Sequence, residues 1–296
     1  MSSNPPPTAA ANHSLASLLE ASVRWLAARG VAEPRIACEL LAARILRLPR
    51  LQLSLERSRQ LRPLQVAALR RGVLRLGTHE PVQYILSEWE FRGLTLKVDR
   101  RALIPRPETE QLVQRVLDHS EVWQAPVPRL ADIGTGSGCI AISLATEVPR
   151  CEIVAVDREP AALELARENA ACHNVATRIK FIQGEFCAGL PTASLDALVS
   201  NPPYIPRAEI ETLDPDVRDH EPRLALDGGE DGLDLHRRLA REAPARLVSG
   251  GAILVEVGDH QAEAVTALHR ETGAYRETRA VSDLGGMPRV VVSVRA

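Results

Sequence analysis

Apolar residues along the first part of the chain recur at the spacing of helices. The run SLASLLEASVRWLAARG repeats Leu15, Leu18, Leu19, Val23 and Leu26 and stops at Gly30. EPRIACELLAARILRL continues the pattern through Ile36, Leu40, Leu41, Ile45 and Leu46, and LRPLQVAALRRGVLRLG through Leu64, Ala68, Leu69 and Leu76. Side chains three and four apart share a helix face, so this period predicts helices. No strand pattern interrupts them, and residues 1–77 therefore predict a small helical bundle. The period then drops to two. EWEFRGLTLKVD alternates Trp89, Phe91, Leu94, Leu96 and Val98 around Arg92-Gly93, which predicts a β-hairpin in a linker over residues 78–104.

IPRPETEQLVQRVLDHS turns at two prolines and enters a helix with an acidic first turn, a favourable place for negative charge. From Arg129 strands and helices alternate. RLADI, EIVAVD, IKFIQ and LDALVS read as strands, with CIAISLATEV and EPAALELARENAACHN as helices between the earlier ones. After a long loop come the helix GLDLHRRLAREAPARLV, the strand GAILVEVG, the helix DHQAEAVTALHRETG and the closing strands YRETRAV and RVVVSVR. This rhythm predicts an α/β fold over residues 105–296, a largely parallel sheet covered by helices on both faces.

Composition adds three constraints. A chain of 296 residues exceeds the usual single-domain size, which agrees with a bundle plus a sheet domain. No uninterrupted apolar run approaches the ~18 residues of a membrane span. The start, MSSNPPPTAAANHS, lacks the charged and apolar regions of a signal peptide and reads as a frayed tail, so a cytoplasmic protein without a membrane partner is expected. Five scattered cysteines, Cys38, Cys139, Cys151, Cys172 and Cys187, show no metal-ligand spacing and read as reduced packing residues; no metal is expected.

The net charge of −2 hides an asymmetry. Residues 1–77 hold twelve arginines and no lysine against four glutamates, a balance of +8 that leaves −10 for the remainder. A basic front part suits an acidic partner surface or nucleic acid. Arginine bias also pervades the chain, which has only two lysines, Lys97 and Lys180.

The chemistry gathers after the strands. LADIGTGSGCIAISLA places Gly134, Thr135, Gly136, Ser137 and Gly138 between a strand and a helix. Glycines allow sharp turns and let a ligand lie against main chain. The spacing G-x-G-x-G differs from the dinucleotide fingerprint G-x-G-x-x-G, and no G-K-[ST] follows, so a nucleoside ligand without phosphates fits better. Asp157 ends the next strand, where an acid accepts both hydroxyls of a ribose. Asp132 precedes the loop and is placed to meet a cationic amino group. Glu185 and Phe186 follow the third strand, where an acceptor and a flat ring flank an adenine. In this order the parts describe an S-adenosylmethionine pocket at the carboxyl edge of the sheet.

Asn201, Pro202, Pro203 and Tyr204 follow the fourth strand and so sit at the same edge. An amide or aromatic amine nitrogen is a poor nucleophile because its lone pair is delocalised. The Asn201 side-chain oxygen can accept one N–H and a carbonyl of the Pro202-Pro203 step the other, which turns the lone pair toward an electrophilic methyl. Proline fixes φ and removes competing donors, so these acceptors are set in advance. Tyr204 offers a ring for a planar amide or base. The residues alone leave three readings open: methylation of a protein amide, methylation of a nucleic-acid amine, and a cofactor-binding module without catalysis.

EPVQYILSEWEF, ALIPRPETE, DIGTGSGCIAISLA, SNPPYIP, LALDGGEDGL and VEVGDHQ resemble the HemK-like family of release-factor glutamine N5-methyltransferases from about Glu33 onward. The resemblance implies a Rossmann-like class I S-adenosylmethionine-dependent methyltransferase sheet behind an N-terminal docking bundle. It implies methyl transfer to the glutamine of the Gly-Gly-Gln loop of peptide chain release factors, with Asn201, Pro202, Pro203 and Tyr204 holding the amide. By the same resemblance Gly134 to Gly138 and Asp157 hold the cofactor, Asn201 is expected to border it as well as the substrate, and Arg106 and Glu110 are family-typical. Members often carry Asp-Trp where this chain has Glu185-Phe186; a phenylalanine keeps the stacking face and loses the indole N–H. A nucleic-acid enzyme is expected to have a basic catalytic half, whereas this one carries −10. No stable nucleic-acid partner is expected, and the chain is expected to be a monomer. A glutamine of a ribosomal protein is the remaining substrate alternative.

Overall fold

Ser14 opens the first helix: its hydroxyl accepts the Ser17 N–H at 3.4 Å, an N-cap that satisfies one of the orphan donors of the first turn. The computed structural model describes residues 14–283 and 285–296; the tail expected over residues 1–13 lies outside them. The chain forms two compact units. One runs to Ser87 and takes in Asp214–His220, and the other comprises Glu88–Leu213 and Glu221–Ala296.

The first unit packs α1 (Leu15–Ala27), α2 (Pro34–Leu46), α3 (Pro63–Leu76) and the short α4 (Val82–Leu86) around Leu15, Leu26, Leu41, Leu69 and Val73. Pro34 and Pro63 stand at first helical positions, where a missing N–H costs nothing. On α3 the buried stripe is Val66, Leu69, Val73 and Leu76, while Leu64, expected on that stripe, is 85% exposed. It stands in the first turn, off the buried face. α8 (Pro215–His220), read as loop from the sequence, belongs to this unit, and the His220 ring nitrogen donates to the Thr78 carbonyl at 3.0 Å.

The second unit opens with β1 (Glu88–Phe91) and β2 (Leu94–Lys97), an antiparallel hairpin. Arg92 and Gly93 at its tip both have positive φ, the geometry that matches strand twist in a two-residue turn. After α5 (Pro107–Asp118) come β3 (Arg129–Ile133), α6 (Cys139–Glu147), β4 (Glu152–Asp157), α7 (Pro160–Cys172), β5 (Ile179–Gln183) and β6 (Leu195–Ser200). α9 (Asp234–Glu242), β7 (Leu247–Glu256), α10 (Ala262–Glu271), β8 (Tyr275–Ser282) and β9 (Pro288–Arg295) complete it. The strands form one sheet in the order β5-β4-β3-β6-β7-β9-β8, in which only β9 runs antiparallel to the other strands. Alternate residues of each central strand face opposite cores: Leu130, Val199 and Leu254 one, Ile133, Leu198 and Val255 the other. The expected largely parallel sheet with helices on both faces is therefore present. α9 stops short of the expected LV because Pro244 lacks an N–H and its ring clashes with the preceding turn, so Leu247 and Val248 begin β7 instead. No described helix is long and apolar enough to cross a membrane.

Two histidines are sealed under this fold. His236 of α9 and His269 of α10 are fully buried, and neither ring nitrogen of His236 has a hydrogen-bond partner. Burial lowers His236 to about 3 and His269 to about 4. The unfolded chain binds protons near pH 6.5 and the folded chain does not, so stability is full above pH 6.5 and is lost as pH falls toward the folded values. Asp132 and Glu256, whose carboxyls burial raises to about 7, act in the opposite sense, so parent and variant must be compared. His236→Leu is expected to lose about 2 kcal/mol less stability than the parent between pH 7 and pH 5. Urea unfolding at both pH values measures it; identical pH slopes would refute a neutral buried His236.

Candidate active site

The chain winds outward from β3 through β4 to β5, then crosses to β6 on the other side of β3. Ligands of open α/β sheets bind at such a reversal, beyond the carboxyl ends of the strands. Ile133 and Ser200 are partners across β3 and β6, and the Ser200 hydroxyl donates to the Ile133 carbonyl at 2.7 Å. Thus the glycine loop and the Asn-Pro-Pro segment leave the sheet side by side. They open onto a cleft of about 420 Å³.

The glycine loop is pinned from two sides. The Gly134 and Thr135 N–H groups donate to the Val156 carbonyl at 2.8 and 3.0 Å. Gly134, Gly136 and Gly138 have φ of +72°, +55° and +84°, values that side chains rarely tolerate. A Cβ on Gly138 would lie 2.9 Å from Ile142 Cδ1 and 3.1 Å from Ala166 Cβ, so this glycine also admits α7. Nothing lies within 4 Å of a Cβ built on Gly134, which leaves backbone open to a ligand. Asp157 lines the cleft with both oxygens aimed: Oδ2 accepts the Gly136 N–H and Oδ1 the Glu159 N–H, each at 2.9 Å. Burial raises the Asp157 pKa and these two N–H groups oppose the shift. An open main chain beside an aimed carboxylate fits the nucleoside end of S-adenosylmethionine.

Three of the expected residues stand behind the cleft wall: Asp132, Gly138 and Tyr204. Asp132 is fully buried, and its Oδ2 accepts the Thr135 hydroxyl at 2.6 Å and the Ala141 N–H at 3.2 Å. Burial pushes its carboxyl up to about 7. It braces the loop from beneath, while Oδ1 has no partner. The Tyr204 ring packs against Gly258, where a Cβ would come within 2.9 Å of Cδ2, and its carbonyl accepts from Gln261 Nε2 at 2.8 Å. The other expected residues line the cleft: Gly134, Thr135, Gly136, Ser137, Asp157, Glu185, Phe186, Asn201, Pro202 and Pro203.

The structure adds contributors that the sequence reading missed and gives Arg106 and Glu110, singled out there, their places. Arg238 of α9 lies over the Phe186 ring, 3.7 Å from its centroid, and also reaches Glu185 Oε2 at 3.4 Å. Phe186 thus carries a guanidinium on one face. Asn169 of α7 donates to the carbonyls of Ser137 and Lys97 and accepts the Lys97 N–H, tying the glycine loop to the hairpin. Arg106 pairs with buried Glu221, whose other oxygen accepts the Ile104 N–H at 3.0 Å; this holds the Leu103–Arg106 strand of chain along the cleft. Glu110, by contrast, accepts the Arg92 N–H at 3.0 Å and anchors the hairpin tip. Asn201 Nδ2 donates to Thr109 Oγ1 at 3.0 Å, and that hydroxyl donates to Glu256 Oε2 at 2.8 Å. Glu256 offered a signal, a carboxylate ending the apolar run AILV; Thr109 offered none beyond its place in IPRPETE. Cys139 and Cys187 are thiols, pushed up to about 12 by burial.

Comparison with known proteins agrees with both units. Residues 109–213 match the Methyltransferase small domain family, and residues 17–86 match the PrmC N-terminal domain family. The chain is 42% identical over 274 residues to the release factor glutamine methyltransferase of Moorella thermoacetica, covering 93% of this chain and 96% of that protein. It is 41% identical over 267 residues to that of Geobacter sulfurreducens, covering 90% and 92%. Among solved structures, a methyltransferase from Pyrococcus furiosus superposes with a TM-score of 0.50 at 16% identity, over 69% of this chain and 90% of that one. The hMettl16 catalytic domain gives 0.53 at 15% identity, over 78% and 82%. Identities this low speak to the fold alone, a class I methyltransferase sheet.

Proposed function

Because this chain belongs to the release factor glutamine methyltransferase family, we propose that it transfers a methyl group from S-adenosylmethionine to the side-chain amide nitrogen, N5, of the glutamine in the Gly-Gly-Gln motif of peptide chain release factors. The observation that carries the reading is Asn201, held at the cleft beside the glycine loop with its Nδ2 committed to Thr109. Oδ1 is then the acceptor left for a substrate.

When bound, S-adenosylmethionine supplies an electrophilic methyl carbon on a sulfonium. Gly134, Thr135, Gly136 and Ser137 would lie along it, Asp157 would accept the ribose hydroxyls, and Glu185 and Phe186 would flank the adenine. Asp132 supports that surface from behind the loop. Asn201 Oδ1 accepts one N–H of the substrate amide and a carbonyl of the Pro202-Pro203 step the other, which turns the nitrogen lone pair toward the electrophilic methyl. Pro202 and Pro203 cannot donate and have fixed φ, so the cradle does not reorganise. No strong base is required: once the nitrogen gains its fourth bond an N–H becomes acidic and its proton passes to water. Positioning supplies most of the rate.

The helical bundle is the docking part of this reading. It carries the positive balance, and Leu51, Leu55 and Leu64 stand 88%, 84% and 85% exposed. Deleting residues 1–77 would cut through a unit that extends to Ser87 and includes Asp214–His220, so point substitutions are the better probe.

The test incubates the full chain with radiolabelled S-adenosylmethionine and an intact release factor. Label on the Gly-Gly-Gln glutamine is expected; label only on nucleic acid or on a ribosomal protein would overturn the assignment. In the same assay, joint substitution of Leu51, Leu55 and Leu64 by serine is expected to raise KM for the intact factor about tenfold, as loss of apolar contacts does, with cofactor affinity unchanged. An unchanged KM would remove the bundle from docking.

A further inference from the structure

We propose that Thr109 is a positioning residue whose hydroxyl, directed by Glu256, decides which way the Asn201 carboxamide faces. The inference rests on the reading of Asn201 as acceptor of the substrate amide. A carboxamide is nearly symmetric in shape but not in chemistry: a half-turn replaces an acceptor with a donor. At the cleft, that turn would set an NH₂ against the substrate N–H and abolish the cradle. Some neighbouring group must therefore tell the two ends of Asn201 apart.

Thr109 has the geometry to do so. It is 2% exposed in the first turns of α5, with Oγ1 at 3.0 Å from Asn201 Nδ2 and 2.8 Å from Glu256 Oε2. A hydroxyl owns one hydrogen and two lone pairs. Thr109 Oγ1 gives that hydrogen to Glu256 Oε2, an oxygen that accepts in the carboxylate and also in the acid whose proton sits on Oε1, so Thr109 can offer Asn201 only a lone pair. Asn201 must answer with its NH₂, which turns Oδ1 away from Thr109 toward the cleft. Glu256 is itself 1% exposed at the carboxyl end of β7. A buried acid is expensive, and a role in ordering the hydrogen-bond chain accounts for its presence at the end of the apolar run AILV.

The three residues come from α5, the loop after β6 and the end of β7, so the chain of bonds also reports whether these parts are in register. A purely structural role, pinning α5 to the sheet, makes a different prediction. The experiment compares Thr109→Val, which keeps the shape and removes the hydroxyl, with Thr109→Ser, which keeps the hydroxyl and removes a methyl. Full-length enzyme, intact release factor and S-adenosylmethionine are used, with Tm and cofactor Kd recorded for each variant.

Thr109→Val is expected to lower kcat about tenfold, the scale of one oriented hydrogen bond, while KM and cofactor Kd stay within about twofold. Thr109→Ser is expected to recover kcat to within about threefold of the parent. Should Thr109→Val not fold, Thr109→Ala carries the same expectation. Parental kcat in the folded hydroxyl-free variant, or a serine variant as slow as valine, would overturn the proposal. Asn201→Ala is assayed alongside: if it is inactive while Thr109→Val is normal, only the positioning role fails. If Asn201→Ala is itself fully active, the underlying reading of the site fails.

Discussion

Asn201→Ala is expected to lower kcat by about 10²- to 10³-fold while cofactor affinity stays within about twofold of the parent. The size follows from the reaction. An amide nitrogen is unreactive until its lone pair is turned from the carbonyl, and Asn201 Oδ1 is one of two acceptors that hold the N–H groups in that pose. Removing one preorganised polar contact to a developing charge costs on this scale in acyl transfer. The second acceptor survives, because the backbone at Pro202 and Pro203 does not depend on the side chain. The rate therefore falls without vanishing. Cofactor affinity is spared because the glycine loop and Asp157, held by Val156 and by their own hydrogen bonds, do not contact Asn201 through any hydrogen bond of the site. Single-turnover methyl transfer and calorimetry separate the two quantities. Equal losses in both would place Asn201 on the donor side of the cleft and count against the assignment.

Asp157→Ala is expected to weaken S-adenosylmethionine binding by ~1.5–3 kcal/mol, about 10- to 150-fold in Kd. The carboxylate is aimed before any ligand arrives, since its oxygens already accept from Gly136 and Glu159. Each oxygen keeps a further lone pair for a ribose hydroxyl. Alanine removes those acceptors and also frees the Gly136 N–H, so the loop loses one of its anchors. At saturating cofactor kcat is expected to drop far less than affinity, because the acceptor cradle is untouched. Titration calorimetry reads the change directly, and superimposable curves for parent and variant would refute the role.

Much of the fold was legible because burial on both faces of a sheet writes an unbroken apolar run. ALV of β6 and AILV of β7 are such runs, LADI of β3 is broken only by Asp132, and strands stand at all three. The glycine loop was legible for a related reason: positive φ at Gly134, Gly136 and Gly138 selects one residue type. Local rules failed where a local pattern had two outcomes. Leu64 fits the apolar series and yet is exposed, and the run ending in APARLV was divided by Pro244 between a helix and a strand. α8 was too short to show a period, and nothing in its sequence says that it joins the bundle.

What the amino-acid order determined alone is everything that depends on neighbours a few positions apart: helix faces, strand alternation, the hairpin tip, the glycine turn, and the arrival of Asn201 at the carboxyl edge. Tertiary structure alone decided which side chains meet there. Thr109 reaches Asn201 across 92 positions and Glu256 across 147, and Arg238 reaches Glu185 across 53. Such meetings depend on strand order and on the rotation of each helix over the sheet, quantities set by packing of the whole core. The physical reason is range: backbone preference and hydrophobic period act over a turn or a pleat, whereas the orientation of one carboxamide is settled by a hydroxyl and a carboxylate brought from distant segments.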